Sequence, residues 1–560
     1  RAGYADLHFV IPEAIEKIDF GKGPYSADKG NFTTAGHVEF HTKNRLEKSE
    51  IGVEIGAFNT QRTYGLLNLI NNNDQSSAYI ASEFISSDGP FDSPQNFNRV
   101  NLMGKYFLNF KNNDQLSILV TRFQSKWDAS GQIPQRLVDA GIITRYGSVD
   151  DTEGGETSRS NVAINHTKII NDHSFIKSNL FASKYDFQLY SNFTFFLEDK
   201  VNGDQIMQKE SRNIYGGQST LFHQGQLFQN PIEWKIGLGI RLDDINDNQL
   251  AKTKNRNEVL RYDALGQVNE TNLFAFTEAK FTWKNWAINP GIRIDRLTFD
   301  YIDNTRINYT SLSEDKSIIS PKFNIIYNPT LNLQLFVKSG IGFHSNDTRL
   351  VVEQQGNRIL PSAFGTDIGG VWKPSDRLIL NAFVWNLEMQ QEFVYVGDAG
   401  IVEPSGATSR KGVELGIRWQ MRDDLYFNAD VNYTYARSKE GEQGQRYIPL
   451  APDFLTTGGI SYLHHSGLNL SWKYRYIKDR PANETNTIVA KGYFVNDIIL
   501  NRSIGSITIG LFFENIFNVE WNEAQFATES QLLNEPVPVE ELHFTPGVPR
   551  NIKGKISYAF

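Results

Sequence analysis

Two-residue alternation recurs from one end of this chain to the other, and it limits the fold more than any other feature of the sequence. In LYFNADVNYTYARS the odd positions Leu425, Phe427, Ala429, Val431, Tyr433 and Tyr435 are apolar or aromatic, with Asn428, Asp430, Asn432 and Thr434 between them. A β-strand sends successive side chains to opposite faces, so this stretch has one greasy face and one wet face. The same pattern places Ile236, Leu238, Ile240 and Leu242 against Lys235 and Arg241, and Leu468, Leu470, Trp472, Tyr474 and Tyr476 against Asn469, Ser471, Lys473 and Arg475. It returns in Ile507, Ile509, Leu511 and Phe513.

A soluble sandwich alternates as well, so the opposite face has to separate core from lipid. Charged and amide side chains there suit a water-filled lumen, and aromatic residues toward strand ends suit interfacial girdles. Composition agrees: Phe 38, Tyr 23 and Trp 9 coexist with a mean hydropathy of -0.41. No apolar run is long enough to span a bilayer as a helix. These features predict an all-β fold, a transmembrane antiparallel β-barrel, in which 560 residues form one barrel rather than several soluble domains. The last segment, NIKGKISYAF, sets Ile552, Ile556, Tyr558 and Phe560 against Lys553, Lys555 and Ser557 and ends on an aromatic residue.

A formal charge of -8 argues against a general nucleic-acid binder, which would carry a basic stripe. Without cysteine the chain has no disulfides, thiolate metal sites or cysteine nucleophiles. It starts at Arg1 rather than Met and is expected to be a processed or trimmed product. No G-x-S-x-G, H-E-x-x-H or G-x-x-x-x-G-K-[ST] signature occurs, so no enzyme activity is expected. Polar segments Gln124–Asn161, Asn246–Asn272 and Glu520–Arg550 are expected as long loops on one rim, and KNND and NPTLN as tight turns on the other.

The amino-terminal stretch IPEAIEKIDFGKGPYSADKGNFTTAGHVEFHTKN differs from the rest, reading as two short strands around a Gly-rich loop. It resembles the end of the plug domain of TonB-dependent outer-membrane receptors, with Lys22-Gly23-Pro24 where that family usually has Arg-Gly-Pro. The resemblance continues through WDASGQIPQRLVDAGIITRYGSVDDTEGG, GFHSNDTR, GDAGIVEPSGATSRKGVELG, IPLAPD, ENIFN, WNEAQFATE and HFTPGVPR, and the terminal Phe560 matches the ending of such barrels. It implies about 22 strands, leaving roughly 23 residues for each strand with its connection. It also implies a division into residues 1–44, the carboxyl-terminal remnant of a plug, and residues 45–560, the barrel. The upstream plug and its energy-coupling box would then precede Arg1.

From the family follow the functional expectations. The protein would be a monomer in the bacterial outer membrane, surrounded by lipid, without a cofactor and without a nucleic-acid partner. It would bind a scarce nutrient such as a ferric siderophore, haem, cobalamin or another metal complex, and release it inward when the TonB complex pulls the plug. The alternative is a passive porin.

Candidate binding residues are few. In KSGIGFHSNDTRL a strand with Leu331, Leu333, Leu335 and Val337 toward lipid would deliver His344, Ser345, Asn346, Asp347 and Arg349 to its outer end. These groups would touch ligand or plug through charge-assisted hydrogen bonds, or would cap a turn while Arg349 pairs with a carboxylate. The family resemblance makes Lys22, Gly23, Pro24, Tyr25 and Ser26 part of a plug loop, within Lys22–Asn31, and Arg410 a further basic candidate for plug or ligand contact. His37, Glu39 and His41 share a strand face, but their roughly 6.6 Å spacing is too wide for a compact chelate, which favours polar packing over a metal site. Asp150, Asp151, Glu153 and Glu156 read as a solvated loop and His464-His465 as an exposed turn, so no metal site is assigned.

Overall fold

The computed structural model describes residues 7–72, 75–305, 311–348, 351, 359–396, 401–404, 406–442 and 444–560. Twenty-two antiparallel strands, from Glu50–Gly56 to Asn551–Ala559, close into one barrel when the last strand pairs with the first. Beyond that seam Ser49 and Phe560 exchange backbone hydrogen bonds of 3.0 and 2.9 Å, so the terminal aromatic residue takes part in closure.

The expected polarity is present with its faces assigned. Ile236, Leu238, Ile240 and Leu242 are exposed on the outside, and Arg241 pairs with Asp243 on the inside. On the final strand Ile552, Ile556, Tyr558 and Phe560 point outward while Lys553 and Lys555 turn inward to Glu514 and Glu13. Apolar outside and ion-paired inside inverts the arrangement of a soluble protein, because the solvent around the belt is hydrocarbon and the lumen is polar.

One rim consists of turns two to five residues long, including Leu331–Asn332 and the Phe110–Asp114 turn that holds KNND. At Phe228–Gln229 both residues have positive φ (51° and 63°), the conformation of the two-residue turn that matches strand twist. The other rim carries connections up to the 36 residues of 515–550.

The expected loop at 124–161 is present but shorter, spanning 130–152 between wall strands, whereas that at 246–272 is almost wholly strand. Asn230–Lys254 and Glu258–Trp283 run 25 and 26 residues and leave only 255–257 between them. Alternation fades there for a physical reason: above the bilayer the outer face also meets water, so polar residues occupy both faces. Segment 515–550 contains a hairpin of Asn522–Ser530 and Val539–Pro546, to which Ile133–Pro134 adds a third strand. Arg136 locks this sheet through Glu535 (2.7 Å) and Glu541 (2.6 Å).

Residues 7–44 lie within the barrel, since they meet inward side chains on opposite sides of the ring. A single 3₁₀ turn, Pro12–Ala14, precedes strand Ile15–Lys22, which pairs antiparallel with Gly36–Thr42. This is the pair of short strands around a Gly-rich loop expected from the sequence.

Candidate functional site

The interface between this internal hairpin and the barrel wall is where the chain concentrates its buried polar chemistry. Glu13, at the 3₁₀ turn, accepts two hydrogen bonds from Arg62 (2.9 and 2.6 Å) and one from Lys555 (3.0 Å). Arg62 also meets Glu54 and Glu83, at 2.6 and 2.7 Å. Burial opposes the Glu13 charge, but Arg62 and Lys555 outweigh it and pull the carboxyl down to about 2.

The other end of the hairpin is the loop from Gly23 to Ala35. Gly23 sits at φ 67°, where a side chain would be strained and would run into the Tyr25 ring. Pro24 enters a recess in the wall left by Gly342 and Gly365. A Cβ on either glycine would stand 2.8 or 2.7 Å from the proline ring, so the backbone of the loop approaches closely only because those side chains are missing.

Between Tyr25 and Phe32 most residues have a wall partner. Tyr25 donates to Asp367 and accepts from Asn324 at its carbonyl (3.1 Å). Ala27 donates its N–H to Glu278 (2.9 Å), and Asp28 pairs with Lys235 (3.3 Å) and receives the Ser26 hydroxyl. Arg293, itself clamped by Asp295 at 2.7 and 2.8 Å and lying 4.1 Å over the Phe274 ring, donates to the Asp28 carbonyl (3.3 Å). Asn31 and Ser345 exchange two hydrogen bonds of 2.9 and 2.8 Å, and Phe32 donates its N–H to the Phe343 carbonyl (3.0 Å).

Electrostatics tightens this seat. Burial raises the Tyr25 hydroxyl far above its ordinary range, and the Asp367 carboxylate pushes it further, so it remains a donor. Burial works against the Asp28 charge, but Lys235 and Lys29 overcome it and hold the carboxyl well below its usual value. Lys22 forms an ion pair with Glu414 on the wall, and Lys29 one with Glu39 of the hairpin.

The candidate residues therefore separate. Gly23, Pro24, Tyr25 and Ser26 belong to the seated loop, and Lys22 is the last residue of the strand leading into it. His344, Ser345 and Asn346 are buried at the end of strand Leu333–Phe343, whose Leu335 and Val337 face outward as expected. Phe32 stacks on His344 with 6.3 Å between ring centroids, and the His344 ring and Asn346 amide also meet Gln391 at 3.2 and 2.7 Å. Burial lowers the His344 pKa, favouring a neutral imidazole. The Asp347 carbonyl accepts from the Val351 N–H (3.0 Å), and Arg349 lies outside the described residues. Arg410 stands apart from the loop and pairs with Glu392.

His37, Glu39 and His41 do share a face, and His41 turns to Asp19 at 3.0 Å. Among the described residues no group of three His, Asp or Glu side chains is placed to hold a metal ion. Glu153 departs from the solvated-loop expectation: it is 3% exposed, at the start of a wall strand. Lys235, Arg293 and Asp367, the principal wall partners of the loop, went unnoticed in the sequence. Glycines inside strands, Gly342 and Gly365, were the available signal.

A closed 22-stranded barrel enclosing an ion-paired amino-terminal hairpin narrows the field, and comparison with known proteins decides it. A family model described as TonB dependent receptor-like, beta-barrel matches residues 52–518. The chain belongs to that family. The ferrioxamine receptor of Yersinia enterocolitica is 24% identical over 238 residues, 41% of this chain and 32% of that receptor. The chain thus aligns with about a third of the length of this curated relative. Among solved structures, the ferric citrate transporter FecA in its unliganded form superposes with a TM-score of 0.83 at 15% identity, covering 99% of this chain and 85% of that one. The siderophore receptor PiuA from Acinetobacter baumannii gives 0.80 at 14%, covering 98% and 86%. These likenesses concern the fold. Family and fold are those of outer-membrane receptors and transporters, and the family match, like the resemblance carried by the sequence motifs, extends over most of the barrel.

Proposed function

We propose that this TonB-dependent receptor-like barrel takes up a scarce iron chelate across the outer membrane, with residues 7–44 as the end of a plug that TonB-coupled pulling displaces. The observation that carries this reading is the seat of the Gly23–Ala35 loop. It is held by hydrogen bonds and ion pairs rather than by an apolar core, and such contacts exchange for water when the segment moves. A wide barrel needs an occluding element, and a polar, reversible interface suits one that opens on demand. The exposed cross-strand pairs Ile18 with Phe40 and Phe20 with Val38 also leave an apolar face on the hairpin, fitting coverage by the rest of a plug domain.

Relatives named for ferrioxamine, ferric citrate and siderophores support an iron chelate over haem or cobalamin as cargo. His344 and Ser345 seat the plug loop through Phe32 and Asn31, and in this reading Asn346, Asp347, Arg349 and Arg410 are further candidates for chelate contact. Membership of this family speaks against a passive porin. The test is uptake of radiolabelled ferric hydroxamate, citrate and catecholate by cells expressing the full-length receptor, with and without TonB. Saturable uptake of one chelate that vanishes without TonB supports the proposal. Uptake that never saturates and ignores TonB would return the porin.

A further inference from the structure

Around the internal hairpin the inward arginines Arg62, Arg99 and Arg293 are each held by carboxylates. One sector of the mouth departs from that pattern. Strands Leu468–Ile477 and Tyr493–Ile504 pair side by side and are joined on the long-loop rim by residues 478–492. Tyr474 and Tyr476 meet the exposed Phe494 on the outer face, so their neighbours Arg475 and Tyr493 point into the lumen. Arg475 lies 5.5 Å over the Trp521 ring, and Tyr493 meets that ring at 4.9 Å. Trp521 is fixed in place. Its Nε1 donates to the Val548 carbonyl (3.0 Å), its own carbonyl accepts from Arg145 (2.6 Å), and a Cβ on Gly547 would strike the ring at 2.1 Å.

Just beyond the strand end, Arg480 is 8% exposed and its Nη1 is buried without a hydrogen-bond partner. Burial works against its charge and lowers its pKa, and Asp479 and Tyr493 offset this only in part. Asp479 is engaged elsewhere: it accepts from the Gly492 N–H (2.7 Å) and has Lys491 at 3.8 Å. Among the described residues no carboxylate forms an ion pair with Arg475, Arg480 or Arg145. A buried guanidinium without a counter-ion destabilises the fold that carries it. Three cations without carboxylates at one place on the inner mouth therefore call for an anion from outside the chain.

We infer that Arg475 and Arg480 form an oxyanion station on the inner mouth, which takes the free carboxylates of a net-negative iron chelate. A guanidinium fork matches a carboxylate with two parallel N–H···O bonds. Hydroxamate and catecholate chelates commit their anionic oxygens to the metal, whereas a polycarboxylate chelate keeps carboxylates that the metal does not use. Gly547 and Arg475 both cover Trp521, which leaves that ring the role of holding the guanidinium rather than stacking on a planar ligand. The wall partners of the Gly23–Ala35 loop lie on strands from Asn230–Lys254 to Ser362–Ser375 and at Ser345, so the station is a separate part of the mouth. The inference rests on the iron-chelate reading above and names the chemical class of its cargo.

The test is equilibrium dialysis of the full-length receptor in detergent against radiolabelled ferric citrate and radiolabelled ferrioxamine B, a cationic hydroxamate chelate. Ferric citrate should bind in preference, and its affinity should fall as salt rises because Arg475 is open to water. The Arg475→Gln/Arg480→Gln double variant should weaken it by about tenfold or more, as expected when hydrogen bonds to charged groups are lost. Arg502→Gln, exposed on a neighbouring strand and bonded to Ser466, should leave binding unchanged. Heat-shifted gel migration checks folding, and Arg475→Gln alone replaces the double variant if that fails. Equal affinity for ferrioxamine B, or native affinity for ferric citrate in the folded variants, overturns the station. Displacement by equimolar inorganic phosphate would make it a general anion site and overturn its assignment to the chelate. Arginine-dependent binding of ferric citrate together with uptake that ignores TonB would refute the transport reading alone. TonB-dependent uptake confined to a hydroxamate or catecholate chelate would leave that reading standing and overturn the station.

Discussion

The barrel has two unlike walls. From Glu153–Asn171 to Ser311–Thr330 the strands run 18 to 26 residues, whereas from Leu333–Phe343 round to Gln115–Ala129 they run 7 to 15. At about 3.3 Å per residue, ten additional residues raise a wall by roughly 30 Å along the strand. The tall wall uses that height on its inner face. Leu297 and Phe299 form a buried cluster with Phe343, Val351, Ile359 and Leu360. Lys235, Arg293 and Glu278 of the same wall hold the Asp28 end of the internal loop. The short wall packs Tyr64, Leu66, Tyr79 and Met103 against Ile11 and Ala14 at the base of the hairpin and adds ions, Arg62 and Lys555 on Glu13. One wall is a packed platform and the other combines packing with an electrostatic clasp, and they should fail differently.

The largest effect is expected at the platform. Phe299→Ala removes a fully buried ring and should cost about 3–5 kcal/mol. Chemical denaturation would report it, and proteolysis should begin beside Ile359 and Leu360, which pack on that ring. Next, Gly342→Leu fills the recess that receives Pro24 and should cost about 1–3 kcal/mol. Because the strain falls on the internal loop rather than on the barrel's strand pairing, leak conductance in a planar bilayer should rise while the barrel stays folded.

Acid should loosen the contacts of both walls, because Glu13 on the short wall and Asp28 on the tall wall are each held below the ordinary carboxylate range. The Glu13 carboxyl lies at about 2 against an ordinary value of 4.5. A depressed carboxyl contributes stability above its unfolded pKa and loses it as pH falls. Hairpin anchoring should therefore weaken from about pH 4.5 toward 2, read as increased protease access, and Glu13→Gln should remove the Glu13 share of that step while leaving the share due to Asp28. The smallest effect is expected at Arg377, which pairs with Asp423 in an exposed arrangement at the turn rim (2.6 Å). Arg377→Ala should change stability by less than about 1 kcal/mol. A larger loss would show that surface ions matter as much as packing and would erase the contrast between walls.

Belt strands were legible because hydrocarbon imposes period two, as Ile236 to Leu242 show. The hairpin was legible through its glycines and its likeness to a family. The height of the tall wall was not, since polar residues such as Asp244 and Asn269 occupy outward positions where no lipid demands otherwise. The seat escaped notice for another reason: Asn31 and Ser345 are 314 residues apart, and nothing local in either position specifies the pairing. Stretch GFHSND stood out as a polar strand end, but whether it meets solvent, ligand or the internal loop depends on that distant partner.

The chain contains no cysteine, so Asn31→Cys paired with Ser345→Cys offers a clean tether between loop and wall. The measurement is radiolabelled iron-chelate uptake by this variant under oxidising and reducing conditions. A displaceable plug predicts that the disulfide stops uptake and that reduction restores it. Uptake at the native rate with the tether closed would contradict the account.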